Sequence, residues 1–289
     1  MSKIYSAIVG DNIRVYLGET TDLVKTAVSM HHTSAVSTEA LSRTLTATSL
    51  LGKLLKNKQD ILTLKVTGTN QIKTILATTN YSGHVKGYIS NVNADIPYRS
   101  NTNKISDAIG LGGNVTIIRD FGLKEPYVGI SHMISAEIDD DIAFYFKHSE
   151  QQPTALKLGT VVEEELVCAG GILIQPMPDL SASEKAAYDN ASEAISDFMD
   201  RLYGKQTAEE IIQSYFPELP VMMTGEFDVA FTCDCSEDRI SRALMTVGKE
   251  ELKEIISVDQ QAELKCHFCN TVYHFTKKDL EDMVRALEA

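Results

Sequence analysis

No stretch of the chain approaches the roughly 20 consecutive apolar residues that a membrane helix needs. The opening residues, Met1-Ser2-Lys3-Ile4, carry no signal-peptide profile, because Asp11 and Arg14 interrupt any apolar run. A cytoplasmic protein with no membrane partner is expected. Basic charge is also scarce: 27 Lys and Arg face 40 Asp and Glu, for a formal charge of −13 and a pI near 5.0. Nucleic acid is not an expected partner, since clustered basic residues supply affinity for phosphate backbones. Familiar catalytic motifs are missing too. There is no G-x-S-x-G elbow, Walker lysine or H-E-x-x-H helix, and nothing pairs the scattered carboxylates. Gly110-Leu111-Gly112-Gly113 lacks the dinucleotide spacing and precedes a strand pattern, so it reads as a turn. An enzyme is not expected.

Cysteine is the most informative scarcity. The chain has 5 in 289 residues, and four fall in one short segment: Cys233-Asp234-Cys235, then 30 residues, then Cys266-His267-Phe268-Cys269. Two close pairs of thiols supply four soft sulfur ligands, which suits tetrahedral Zn2+. The first pair is Cys-x-Cys, and the gap exceeds the roughly 12 to 20 residues of common zinc ribbons. In a reducing cytosol such clustering favours metal or redox chemistry over structural disulfides. Cys168, inside Leu166-Val167-Cys168-Ala169, reads as a small buried side chain. His31-His32 lacks a third ligand at useful spacing and reads as structural or exposed. His267 and His274 are dispensable as ligands because four thiols complete the shell.

The rest of the chain has 43% hydrophobic and 23% charged residues, ordinary for a globular protein and enough for more than one domain. A hairpin is expected over 4–9 and 13–17, followed by a short helix capped by Thr20 or Thr21. Ser37 then caps a longer helix with Leu41, Leu45, Thr48, Leu51 and Leu55 at helical spacing, lying against a sheet. Strands follow over 61–66, 72–78, 85–92, 115–118 and 127–134, a short helix over 139–147, and strands over 155–162 and 166–175. Beyond Pro176-Met177-Pro178 the composition shifts. Residues 181–203 read as a helix with a thin apolar stripe of Ala187, Ala191, Ala194, Ile195, Phe198 and Leu202, stopped by Gly204. A second helix spans 207–215. These helices need a surface to cover, as a packed linker or as a segment able to leave it.

Residues 226–231 read as a strand leading into the cysteine region. Helices capped by Ser236 and following Gly248, a hairpin over 264–275 with Cys266 and Cys269 at its knuckle, and a helix capped by Thr276 complete it. The class is α+β: an N-terminal mixed-sheet core with a long packed helix (1–178), a helical linker (179–225) and a small zinc-binding domain (226–289). A domain this small has little core, so a closed four-thiolate site normally serves its structure. The spacing also permits each close pair to form its own disulfide once the metal leaves. Such local links do not tie the two halves together, and the domain would unfold.

Several strings resemble a known family. Cys233-Asp234-Cys235-Ser236, Arg239, Ala243-Leu244, Gly248-Lys249-Glu250-Glu251-Leu252, Cys266-x-Phe268-Cys269 and Tyr273-x-Phe275 are similar to the C-terminal domain of the heat-shock protein 33 family, the HslO-type redox-regulated chaperones. The resemblance continues upstream through Gly122-Leu123-Lys124-Glu125-Pro126-Tyr127-x-Gly129-Ile130, Ala143-x-Tyr145-Phe146-x-x-Ser149-Glu150-Gln151-x-Pro153 and Ala169-Gly170-Gly171-x-Leu173-Ile174-Gln175. It implies an ATP-independent holdase of the stress response, whose partners are unfolded clients and, when active, a second copy of itself. Client binding and dimerisation fall to the core. The resemblance implies that the reduced form, with one Zn2+ on Cys233, Cys235, Cys266 and Cys269, is inactive. Oxidation to Cys233–Cys235 and Cys266–Cys269 disulfides releases zinc and unfolds switch and linker. Asn270 and Ser34 depart from the glycine and proline of the pattern. Two other readings are open: a zinc-ribbon binding module, against which the acidity speaks, and a thiol oxidoreductase using Cys266 and Cys269, which lie on a hairpin instead of beside a βαβ unit.

Overall fold

The computed structural model describes residues 1–96, 105–163 and 165–288. Its contacts gather Met1–Thr232 into one compact unit and Cys233–Ala289 into a second. The chain is α+β as expected, and the sheet core of the first unit consists of two sheets whose strands pair antiparallel. Short turns join most successive strands, which forces them antiparallel. In chain order the first unit contains β1 (Lys3–Val9), β2 (Ile13–Glu19), α1 (Thr21–His31), α2 (Ala35–Gly52), β3 (Ile61–Thr67), β4 (Thr74–Asn80) and β5 (Val85–Ile89). It continues with α3 (Ile105–Ile109), β6 (Asn114–Asp120), β7 (Tyr127–His132), α4 (Ile138–Ser149), β8 (Ala155–Val162) and β9 (Leu166–Pro176). One sheet runs β5-β4-β3-β6-β7. The other contains β1, β2, β9 and β8, and gains an edge strand from much later in the chain.

Helix α2 packs against strands of both sheets, which explains why nearly all of it is buried. Its Leu41, Leu45, Leu50 and Leu51 fill the space between them. Its remaining faces carry Ser and Thr, small enough for close packing and able to satisfy their own hydroxyls. Thr44 and Thr48 donate back to the carbonyls of Ala40 and Thr44 at 2.9 and 2.7 Å. The cap differs from expectation. Ser34 accepts the Ser37 N–H, while Ser37 is buried and binds Asn91 O and Ala94 N–H. Thr20 does occupy the cap position of α1, but its hydroxyl meets that of buried Thr46 at 2.7 Å instead of capping.

The helical stretch is packed. Ser181 and Glu184 form a capping box that opens α5 (Ala182–Ala194); a single 3-10 turn at Ile195–Asp197 then breaks the expected single helix before α6 (Phe198–Tyr203). Thr207 opens α7 (Ala208–Tyr215). Ala191, Ile195, Phe198, Ile211 and Ile212 bury against Ile13, Val15, Leu17, Ile172 and Ile174 on the face of the sheet turned away from α2. Ala194 lies outside this stripe and is exposed. With both faces covered, β9 is buried along almost its whole length. The strand expected over 226–231 is displaced: β10 (Val221–Asp228) pairs with β1 and becomes the edge of the first unit's sheet.

Glycines let α6 approach. A Cβ on Gly159 would lie 2.0 Å from Met199 Cγ, and one on Gly170 would lie 2.3 Å from Leu202 Cδ2. Gly159 and Gly170 are register partners in β8 and β9, so together they make a bare floor for these side chains.

Candidate metal centre

The second unit is built from α8 (Glu237–Met245), α9 (Lys249–Val258), β11 (Gln261–Lys265), β12 (Val272–Thr276) and α10 (Lys277–Glu288). Its buried apolar core is six side chains: Leu244, Leu252, Phe275, Leu280, Met283 and Val284. That is little for a cooperative fold, so another source of stability is needed.

Local chemistry presents each thiol. Ser236 caps α8 by accepting the Arg239 N–H, and the Arg239 guanidinium turns back to ion-pair with Asp234 and bind its carbonyl at 3.2 Å. Cys233 and Cys235 flank the residue so held. Strands β11 and β12 pair from Gln261↔Thr276 to Lys265↔Val272, leaving Cys266 and Cys269 in the connecting knuckle. The Cys266 N–H donates to Thr271 O at 2.9 Å, and the Asn270 N–H to Cys266 O at 2.8 Å. Asn270 has φ 60, the left-handed region where glycine is at ease and asparagine is tolerated. That explains how asparagine serves at this position. Thr276 and Asp279 cap α10 reciprocally, as expected.

The four sulfur atoms lie within 4.8 Å of one another. Across the two halves, Cys233 Sγ is 3.7 Å from Cys266 Sγ, and Cys235 Sγ is 3.3 Å from Cys269 Sγ. An ideal tetrahedron with metal–sulfur bonds of about 2.3 Å has sulfur–sulfur edges of about 3.8 Å, so the donor set fits one such ion. Burial pushes the Cys233 and Cys235 thiols up. Burial also acts against the Cys269 thiolate, but hydrogen bonds from the Thr271 hydroxyl and N–H, with those of Cys235 and Cys233, outweigh it and hold the group at about 7. Tyr273 Oη donates to Cys235 Sγ at 3.1 Å. A divalent cation would resolve the crowding by stabilising four thiolates at once. With sulfur at all four positions, the shell of such an ion would leave none open for a substrate.

No histidine nitrogen is among the four grouped ligand atoms. Exposed His274 approaches Glu263 at 3.5 Å. His31 is buried with Nε2 3.2 Å from Gly87 O, and His32 ends α1 with φ 53. Cys168 is a buried thiol of β9 in the first unit, its pKa raised by burial. Tyr273 and Thr271, which bond to the sulfurs, had no role assigned from sequence; the hairpin register delivers both, and Tyr273 was visible only as part of the family resemblance. No helix among the described residues is long and apolar enough to cross a membrane.

Comparison with known proteins agrees over almost the whole chain. The family model described as Hsp33 protein matches residues 2–276. The 33 kDa chaperonin of Clostridium botulinum (strain 657 / Type Ba4) is 37% identical over 288 residues, covering 98% of this chain and 97% of the relative. That of Clostridium perfringens (strain SM101 / Type A) is 36% identical over 291 residues, covering 99% and 92%. The crystal structure of the 33 kDa chaperonin (heat shock protein 33 homolog) of Thermotoga maritima superposes with a TM-score of 0.88 at 26% identity, covering 99% of this chain and 98% of that one. This chain belongs to the Hsp33 protein family.

Proposed function

We propose that the protein is a redox-regulated holdase chaperone of the cytoplasm, independent of ATP and not an enzyme. The observation that carries the reading is the closed cluster of Cys233, Cys235, Cys266 and Cys269 in a unit with a six-residue core. In the reduced state these residues hold one Zn2+, which supplies the cross-link the small core lacks. Oxidation by a peroxide or hypochlorite converts the thiolates to Cys233–Cys235 and Cys266–Cys269 disulfides. Both links are local, so the long-range tie between 233–235 and 266–269 is lost and the unit unfolds. The helices over 181–216 then leave the sheet. Ile13, Val15, Leu17, Ile172 and Ile174 on the sheet, with Phe198, Ile211 and Ile212 on the helices, become apolar surface for unfolding clients. The active form is a homodimer. Family membership and the relatives' name, 33 kDa chaperonin, support this reading.

Disulfide mapping of the oxidised protein tests it. The expected products are the two local disulfides, with zinc released in step. Crosswise Cys233–Cys266 and Cys235–Cys269 bonds would overturn the release mechanism, because they would keep the halves tied together.

A further inference from the structure

Where the two sheets part beyond the C-terminal end of α2, the first unit has a cleft of about 530 Å³, within the range of small-molecule sites. Arg14 on β2 and its register partner Gln175 on β9 line it together with Lys56, Arg119, Phe121 and Phe146. Its acids are already engaged. Glu150 takes the Arg119 guanidinium in an ion pair with contacts of 2.8 and 3.0 Å, the hydrogen bond falling on Oε2 while buried Oε1 accepts none. Asp60 is 1% exposed and accepts from the backbone N–H and side-chain amide of Asn57 at 3.1 to 3.3 Å. Arg14 has no such partner. Its Nε is buried without a hydrogen bond, and no carboxylate pairs with its guanidinium among the described residues. A guanidinium N–H held out of water without an acceptor is costly. Here that N–H belongs to a half-buried guanidinium in a concave site that also presents the Phe121 ring, within a protein whose formal charge is −13.

We propose that this cleft binds a carboxylate joined to a compact apolar group. The carboxylate accepts from Arg14, with Lys56 adding charge at the rim, and the apolar group lies against Phe121 and the partly buried Leu54. A free small acid and the C-terminal end of a peptide share this chemistry. All of the cleft's lining residues belong to the first unit.

Calorimetric titration of the full-length reduced protein at low salt tests the proposal, with N-acetylphenylalanine as probe and its amide as control. A second arm uses a tetrapeptide ending in phenylalanine as free acid or amide. Saturable binding of one acid per chain is expected, about tenfold or more tighter than the amide and weakened to a similar degree by Arg14→Gln. Binding of the amino-acid probe alone supports a site for free small acids; binding of both acids supports one open to chain ends. Equal affinity for acid and amide, no saturable binding, or full affinity in a folded Arg14→Gln variant overturns the proposal. Should that variant fail to fold, the acid-to-amide ratio of the unaltered protein still decides.

Discussion

The carboxylate of Glu184, in the first turn of α5, accepts the backbone N–H of Asn12, in the turn of the first hairpin, at 2.9 Å. The same Oε1 accepts the Asp11 N–H at 2.8 Å, while Oε2 accepts the N–H and hydroxyl of Ser181 at 2.8 and 2.7 Å. One side chain thus caps the linker's first helix and clasps it to the sheet below.

This clasp has a pH signature. The Ser181 N–H and hydroxyl, then the Asp11 and Asn12 N–H groups, lower the Glu184 carboxyl from 4.5 to about 2. Because the docked value lies below the undocked one, the stabilisation is complete above about 4.5 and is lost as pH falls toward 2. Amide chemical shifts over 182–215 should therefore be unchanged between about pH 5 and 7, and Glu184→Gln should shift them at neutral pH.

The glycine floor predicts a way to free the linker without oxidant. The three nearest neighbours of a Cβ at Gly159 are all atoms of the Met199 side chain, whereas a Cβ at Gly170 also meets the Gly18 carbonyl at 2.6 Å. Gly159→Val should weaken helix docking by about 1–3 kcal/mol while sparing the sheet. Reduced Gly159→Val should then suppress aggregation of a thermally unfolding client, where the reduced parent does not. Gly170→Val should lower the melting temperature of the whole unit.

Cys266→Ser removes one of four ligands. Zinc content should fall well below one per chain, and the far-UV circular dichroism of α8–α10 should be lost, since metal binding supplies roughly 10–16 kcal/mol in small zinc-held folds. The thermal transition of the first unit should persist.

Arg43, in the middle of α2, is the hub of a largely buried charge network. It ion-pairs with Glu39, meets Glu137 at 2.8 Å, and lies 3.9 Å from Asp139, itself 1% exposed and held by Lys157 at 2.9 Å. Arg43→Ala strands acidic groups and should cost the first unit roughly 3–5 kcal/mol in a denaturant titration.

Much of this was legible in the sequence. The four cysteines declared the site by type and clustering, and Ser236, Thr276 and Asp279 declared the helix starts that frame it. Ser181 and Glu184 also carry a readable capping-box spacing, but the second use of Glu184, on a hairpin more than 170 residues earlier, is a tertiary event. Two sheets around α2 were hidden because its Ser and Thr look like a solvent face; only the structure places their hydroxyls on the helix's own carbonyls and on neighbouring loops. The seat of α6 was hidden for a different reason. It depends on side chains that Gly159 and Gly170 do not have, and an absence gains meaning only once something packs over it.

The most direct test of the switch follows zinc with a chromogenic chelator while a thermally unfolding client is assayed for aggregation, before and after peroxide at mildly elevated temperature. Zinc release and client protection should rise together and reverse together with reductant. Zinc that stays bound, or leaves with no gain in protection, would contradict the account and leave the four thiolates as a purely structural tie.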